Sequence, residues 1–179
     1  MNGTFSTDST VNATPLSLDS ALSAQVQVLG DSLRAKGWSV SCAESCTGGG
    51  VAFAFTSVSG SSDWFNQSWI TYSNDAKKRT LGVSEQTLQE FGAVSKQTVK
   101  EMAEGVRRNS GAQLVVTVSG IAGPGGGSEE KPVGTVWFGF MCGAMSEQIK
   151  QVFSGDRDEV RQHAIAFAMT HLVKMLSEN

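Results

Sequence analysis

The sequence predicts an α/β fold, a three-layer α/β/α sandwich around a mixed sheet. Three observations lead there. Helical apolar spacings alternate along the chain with short strand-like runs. Residues 114–118 form an apolar, β-branched stretch of the kind found in a central strand covered on both faces. Near the C-terminus two strand-like runs follow one another, and a sequential strand pair beside parallel strands makes the sheet mixed.

The elements follow in order. Leu18, Leu22, Val26, Leu29 and Leu33 recur at helical spacing, with Gly37 as the stop. Residues 38–42 read as a strand, and residues 48–57, small and apolar, as a buried helix. A turn at 60–62 leads to a second strand at 69–73. Asn74 and Asp75, both good helix caps, open a short helix that carries Lys77 and Lys78. Ser84 caps another short helix ending at Gly92. Ser95 caps a longer one with Val99, Met102, Ala103 and Val106 on its buried face. After the central strand at 114–118 comes a glycine-rich loop at 120–127. Strands are expected at 133–141 and 149–153. The last helix begins around residues 155–158, with Ile165, Ala168, Met169, Leu172 and Leu176 on one face.

A chain of 179 residues can bury a core of its own. Residues 1–16, rich in Ser, Thr and Asn, read as a disordered extension, and residues 17–179 as a single domain. The extension lacks the basic and apolar regions of a signal peptide. No run approaches the roughly 20 apolar residues of a membrane span. A cytoplasmic location is expected, with no membrane partner. The net charge of −3 and the absence of a long basic run exclude an evident nucleic-acid footprint. Three cysteines give no disulfide framework. His163 and His171, eight residues apart with no cysteine or carboxylate cluster beside them, give no metal set, so neither metal nor cofactor is expected.

The stretch Ala43-Glu44-Ser45-Cys46-Thr47-Gly48-Gly49-Gly50 lies between a strand and a helix. A serine there sits where free backbone N–H groups favour an oxyanion or a phosphate. Spacing alone leaves two readings of Ser45, helix cap or nucleophile. With histidine scarce, a Ser-His-Asp triad is excluded as the expected arrangement. Lysine is the other base. Lys77 follows Tyr72, the only tyrosine, and partial burial would lower its pKa. Tyr72 would then relay or orient the proton. A solvated Lys77 remains the alternative. Cys46 is a rival nucleophile or a small core residue. Glu44 should point opposite to Ser45 and bind a ligand or pair with a lysine. Thr47 with the amides of Gly48 and Gly49 forms a candidate anion nest. The second glycine loop, containing Gly123, follows the central strand and can line the same crevice. Residues 128–132 read as a charged surface loop able to close over it. Arg157 reads either as a local ion pair or as a clamp on a phosphate or carboxylate.

Taken together, AESCTGG at 43–49, TYSNDAK at 71–77, GAVS at 92–95, SGIAGPGGG at 119–127, EEKPVGTVW at 129–137 and FSGDRD at 153–158 resemble the CinA C-terminal domain family over residues 19–175. The resemblance implies a metal-independent amidohydrolase. Its stand-alone members convert nicotinamide mononucleotide to nicotinic acid mononucleotide and ammonia in pyridine nucleotide salvage. It places the nucleophile on Ser45, the base on Lys77 and the motif tyrosine on Tyr72. Arg157 falls on an arginine tied to activity or binding, and Glu44, Thr47 and the Gly123 loop fall on substrate-site elements. A homodimer or larger homo-oligomer is implied. The N-terminal domain that many relatives carry, linked to ADP-ribose pyrophosphatase activity, is expected to be absent, and that activity with it. Two rival functions remain. One is a nucleotide-binding regulatory module connected with competence or recombination, which would not need Ser45, Tyr72 and Lys77. The other is hydrolysis of a different amide.

Overall fold

The computed structural model describes residues 18–179; the extension expected at 1–16 lies outside the described residues. Helix α1 (Ser20–Lys36) precedes strand β1 (Val40–Glu44) and helix α2 (Gly50–Thr56). After a short 3-10 turn come β2 (Phe65–Ile70) and three helices, α3 (Asn74–Leu81), α4 (Glu85–Phe91) and α5 (Lys96–Ser110). Strands β3 (Leu114–Gly120), β4 (Thr135–Cys142) and β5 (Met145–Val152) lead to α6 (Arg157–Ser177). No described helix is long and apolar enough to cross a membrane.

The five strands form one mixed sheet in the order β2-β1-β3-β4-β5. β1 runs parallel to both β2 and β3, whereas β4 pairs antiparallel with both β3 and β5. Helices cover both faces, as the sequence predicts. Strand alternation divides the core between them. Val40 and Cys42 of β1 and Val116 and Val118 of β3 pack with α1, α2 and α6. Ala43 and Val115 pack with Leu81, Met102 and Val106 on the α3–α5 side. Buried hydroxyls on that second face are matched by carbonyls: Thr117 donates to Val99 at 2.8 Å and Ser119 to Ala93 at 2.7 Å.

Several boundaries move. β2 lies at Phe65–Ile70 rather than 69–73, so Tyr72 stands beyond its end. Ser73, not Asn74 or Asp75, caps α3, its side chain accepting from the Ala76 amide at 3.1 Å. β5 begins at Met145, since Cys142 pairs with Met145 across a two-residue turn. α6 opens with a capping box between Asp156 and Glu159, and its first residue is Arg157.

Candidate active site

The parallel strands β1 and β2 end side by side, and the chain leaving each supplies one reactive group. The Ser45 amide extends the β1–β3 ladder by one bond, to the Val118 carbonyl at 2.9 Å. By alternation Ser45 then faces the α3–α5 layer. Lys77 lies on the buried face of α3, one turn before Leu81. Its Nζ is 2.8 Å from the Thr71 carbonyl and 3.2 Å from Ser45 Oγ. Thr71 is itself pinned, its amide donating to the Glu44 carbonyl at 2.8 Å. Thr71 was missing from the sequence-level site. Its contribution is a main-chain carbonyl, which leaves no side-chain signature.

Lys77 is 1% exposed, and burial pulls its ammonium down from 10.5 to about 8. No carboxylate offsets that loss of water: Lys77 has no salt-bridge partner among the described residues. A lysine so placed is in part neutral near physiological pH and can accept a proton. Cys46, by contrast, is buried, and burial pushes its thiol up to about 11. It lacks the thiolate character of a nucleophile and packs as a core residue.

The loop after Ser45 divides its amides. The Gly48 amide donates to the Ser45 carbonyl at 3.1 Å and the Gly50 amide to Thr47 at 3.2 Å. Gly49, with φ of 100°, caps α2 in a left-handed conformation suited to glycine. Its amide, with those of Val51 and Ala52, goes to the Glu44 carboxylate at 3.1, 3.0 and 2.9 Å. The amides of Cys46 and Thr47 go to no main-chain oxygen or carboxylate among the described residues and face the Cys46 thiol, a weak acceptor. The Gly48 and Gly49 amides of the expected anion nest are thus occupied within the loop itself.

Two further expectations change. Glu44 points away from Ser45, as alternation requires, but it is fully buried and holds the start of α2. It has no surface to offer a substrate. Tyr72 is 59% exposed, and its hydroxyl accepts from Arg157 Nη2 at 3.0 Å. No hydrogen bond joins it to Lys77 or Ser45 among the described residues. The other nitrogen of Arg157, Nη1, donates to the Gly123 carbonyl at 2.8 Å. Arg157 thus links the chain after β2 to the glycine loop after β3. Beside it lies an open depression of about 540 Å³ lined by Ala122, Pro124, Val133, Arg157 and Asp158.

Arg161, one helical turn beyond Arg157, donates to the Thr47 carbonyl at 3.2 Å. Sequence reasoning missed it, although the spacing of four residues was available as a signal. The loop at 128–132 is anchored rather than free, with Lys131 Nζ on the Phe91 carbonyl at 2.9 Å. Among the described residues no group of three or more His, Cys, Asp or Glu side chains could hold a metal.

Fold and site define an α/β protein with a buried serine–lysine pair at the carboxyl ends of adjacent parallel strands. The CinA C-terminal domain matches residues 22–176, and the chain belongs to that family. It is 55% identical over 153 residues to a protein of Enterobacter agglomerans named nicotinamide-nucleotide amidohydrolase PncC, covering 84% of this chain and 93% of the relative. A protein of the same name from Escherichia coli K12 is 50% identical, covering 90% of this chain and 98% of the relative. Among solved structures, the competence/damage inducible protein CihA of Agrobacterium tumefaciens has a TM-score of 0.85 and 39% identity, covering 89% of this chain and 98% of its own. The competence damage-inducible protein A of Klebsiella pneumoniae has a TM-score of 0.84 and 34% identity, covering 87% of this chain and 97% of its own.

Proposed function

We propose that the protein is a nicotinamide-nucleotide amidase that hydrolyses nicotinamide mononucleotide to nicotinic acid mononucleotide and ammonia. The observation that carries the reading is the 3.2 Å contact between Ser45 Oγ and a buried lysine lowered to about 8. The names of the relatives supply the substrate.

In the proposed cycle, neutral Lys77 accepts the Ser45 proton as Oγ adds to the carboxamide carbon. The tetrahedral oxyanion is met by the amides of Cys46 and Thr47, which it takes from the weakly accepting Cys46 thiol. The Lys77 ammonium returns its proton to the amide nitrogen, and ammonia leaves. Water, deprotonated by Lys77, then adds to the acyl-serine carbonyl. Collapse breaks the acyl–oxygen bond, releases the acid, and the proton on Lys77 goes back to Ser45. Arg157, with Tyr72 setting its direction, serves the nucleotide's phosphate; Thr47, Gly48, Gly49 and Gly123 shape the cleft with their main chain. The same reading has the enzyme working without metal or cofactor, in the cytoplasm, as a homodimer or larger homo-oligomer.

The test is ammonia release from nicotinamide mononucleotide with chelator present. Wild type should turn over, and Ser45→Ala should lose about 10⁴-fold or more in kcat while keeping its fold. Near wild-type turnover by Ser45→Ala would remove Ser45 from the mechanism. Tight mononucleotide binding without ammonia release would favour the regulatory module, and release from other amides alone would reassign the substrate.

A further inference from the structure

Glu44 is the feature that the proposed mechanism does not use. It is 0% exposed and has no salt-bridge partner among the described residues. An unpaired buried carboxylate is costly unless hydrogen bonds replace its water. Here three do, all from main-chain amides. Oε2 accepts from Gly49 and Val51, and Oε1 from Ala52. The Cys42 thiol lies against Oε1 at 3.8 Å. Three converging donors match a group that only accepts.

The position of these donors matters more than their number. Glu44 immediately precedes Ser45, and the amides it holds begin two residues after Thr47. The segment 45–48 is therefore clamped at both ends by one residue. Its near end is fixed by the main chain of Glu44 in β1, and its far end by the Glu44 side chain. Between the clamps lie the Cys46 and Thr47 amides, which face the Cys46 thiol, a weak acceptor that an oxyanion can displace. Gly49, Val51 and Ala52 would otherwise be open donors competing for the same anion. With those three occupied, the loop amides not held by an oxygen are those of Cys46 and Thr47.

We infer that Glu44 is a positioning residue, whose carboxylate fixes the Cys46 and Thr47 amides where the tetrahedral oxyanion develops. The inference rests on the serine amidase reading. It also predicts what Glu44 leaves alone. Lys77 is held through the Thr71 carbonyl, which depends on the Glu44 main chain and not on its carboxylate.

The test compares wild type with Glu44→Gln, which keeps the size of the side chain but turns an NH2 group toward the amides. Three quantities are measured: kcat and KM for ammonia release, the pH of half-maximal kcat/KM, and inhibition by pyridine-3-boronic acid. That probe adds reversibly to a serine Oγ and presents a tetrahedral boronate oxygen to the amides. Glu44→Gln should lower kcat about 10- to 100-fold, with KM changed less than about threefold. The boronate inhibition constant should rise by a comparable factor, and the pH midpoint should stay in place. An inhibition constant does not depend on the fraction of folded enzyme, so a merely structural role would leave it unmoved. Unchanged boronate affinity, an effect confined to KM, or a shifted pH midpoint would each overturn the inference. If Glu44→Gln does not fold, Glu44→Asp, which keeps the charge and loses the reach, takes its place. Failure of both to fold would make Glu44 a residue of stability and overturn the inference. Should wild type release no ammonia yet form the boronate adduct on Ser45, the substrate reading fails. The adduct's affinity then tests Glu44 by itself.

Discussion

Ser45 and Lys77 share one buried environment, and in the proposed mechanism that environment is what makes lysine a usable base. In water its ammonium would remain protonated at neutral pH. Burial brings it to about 8, so kcat/KM should rise roughly tenfold per pH unit below that value and level off above it. A profile flat from pH 6 to 9 would remove Lys77 from the rate-limiting proton transfer. The same depression has a stability signature. Between about 8 and 10.5 the unfolded chain holds the Lys77 proton and the folded chain does not. Folded stability should therefore rise with pH across that window, by about 3 kcal/mol at most from this group. Below about 8 the cost of burying the charge is fully present. Lys77→Met should remove this dependence, as seen in the difference between wild-type and variant denaturation curves at pH 7 and pH 10. The pair was legible in the sequence as two candidates. Their contact was not, because 32 residues separate them and only strand order brings them together.

At the scale of elements, the helices were more legible than the strands. Ser84 and Ser95 cap α4 and α5 where their side chains predict, each accepting from an amide three residues on. The buried face of α5 follows its apolar spacing. β2 was misplaced because its interior, Asn66, Gln67 and Ser68, is polar. β2 is an edge strand, and half-exposed edges lack the apolar signal of β3. The start of β5 was missed for the same reason, its opening residues Met145, Ser146 and Glu147 being exposed on the other edge. The cap on α6 carries the clearest functional consequence, since it fixes Arg157 at the first position of the helix. From there the guanidinium spans Tyr72 and Gly123. Arg157→Ala should raise KM for nicotinamide mononucleotide by about 10-fold or more, as expected for a charged contact to phosphate. Its effect on free nicotinamide should be much smaller. Equal losses on both substrates would assign Arg157 to holding the loops together. The partnership of Arg157 with Tyr72 had no sequence signal, because it joins residues 85 positions apart.

For the molecule as a whole, α5 must lie close to the sheet to cover the second face. Gly139 of β4 permits that approach. A Cβ there would meet the Val99 carbonyl of α5 and stand 2.6 Å from Thr117 Oγ1. Gly139→Ala should therefore lower stability by about 1–3 kcal/mol, measured by thermal or denaturant unfolding. An unchanged Tm would mean that α5 can shift at no cost. The three-layer arrangement was readable from the alternation of patterns. The close contact was not, since a glycine in a strand announces only that something comes near.

The strand order also separates two kinds of change. Serine, lysine and the carbonyl that holds the lysine all come from residues 45–77, contiguous in the chain. The rim of the cleft comes from residues near 123 and 157, supplied by later elements. On the proposed mechanism, replacing the later segments would alter which amide is admitted while Ser45, Lys77 and the Thr71 carbonyl stay in place. If that mechanism holds, a chain built this way can acquire new substrates by exchanging its rim, while one short stretch keeps the chemistry.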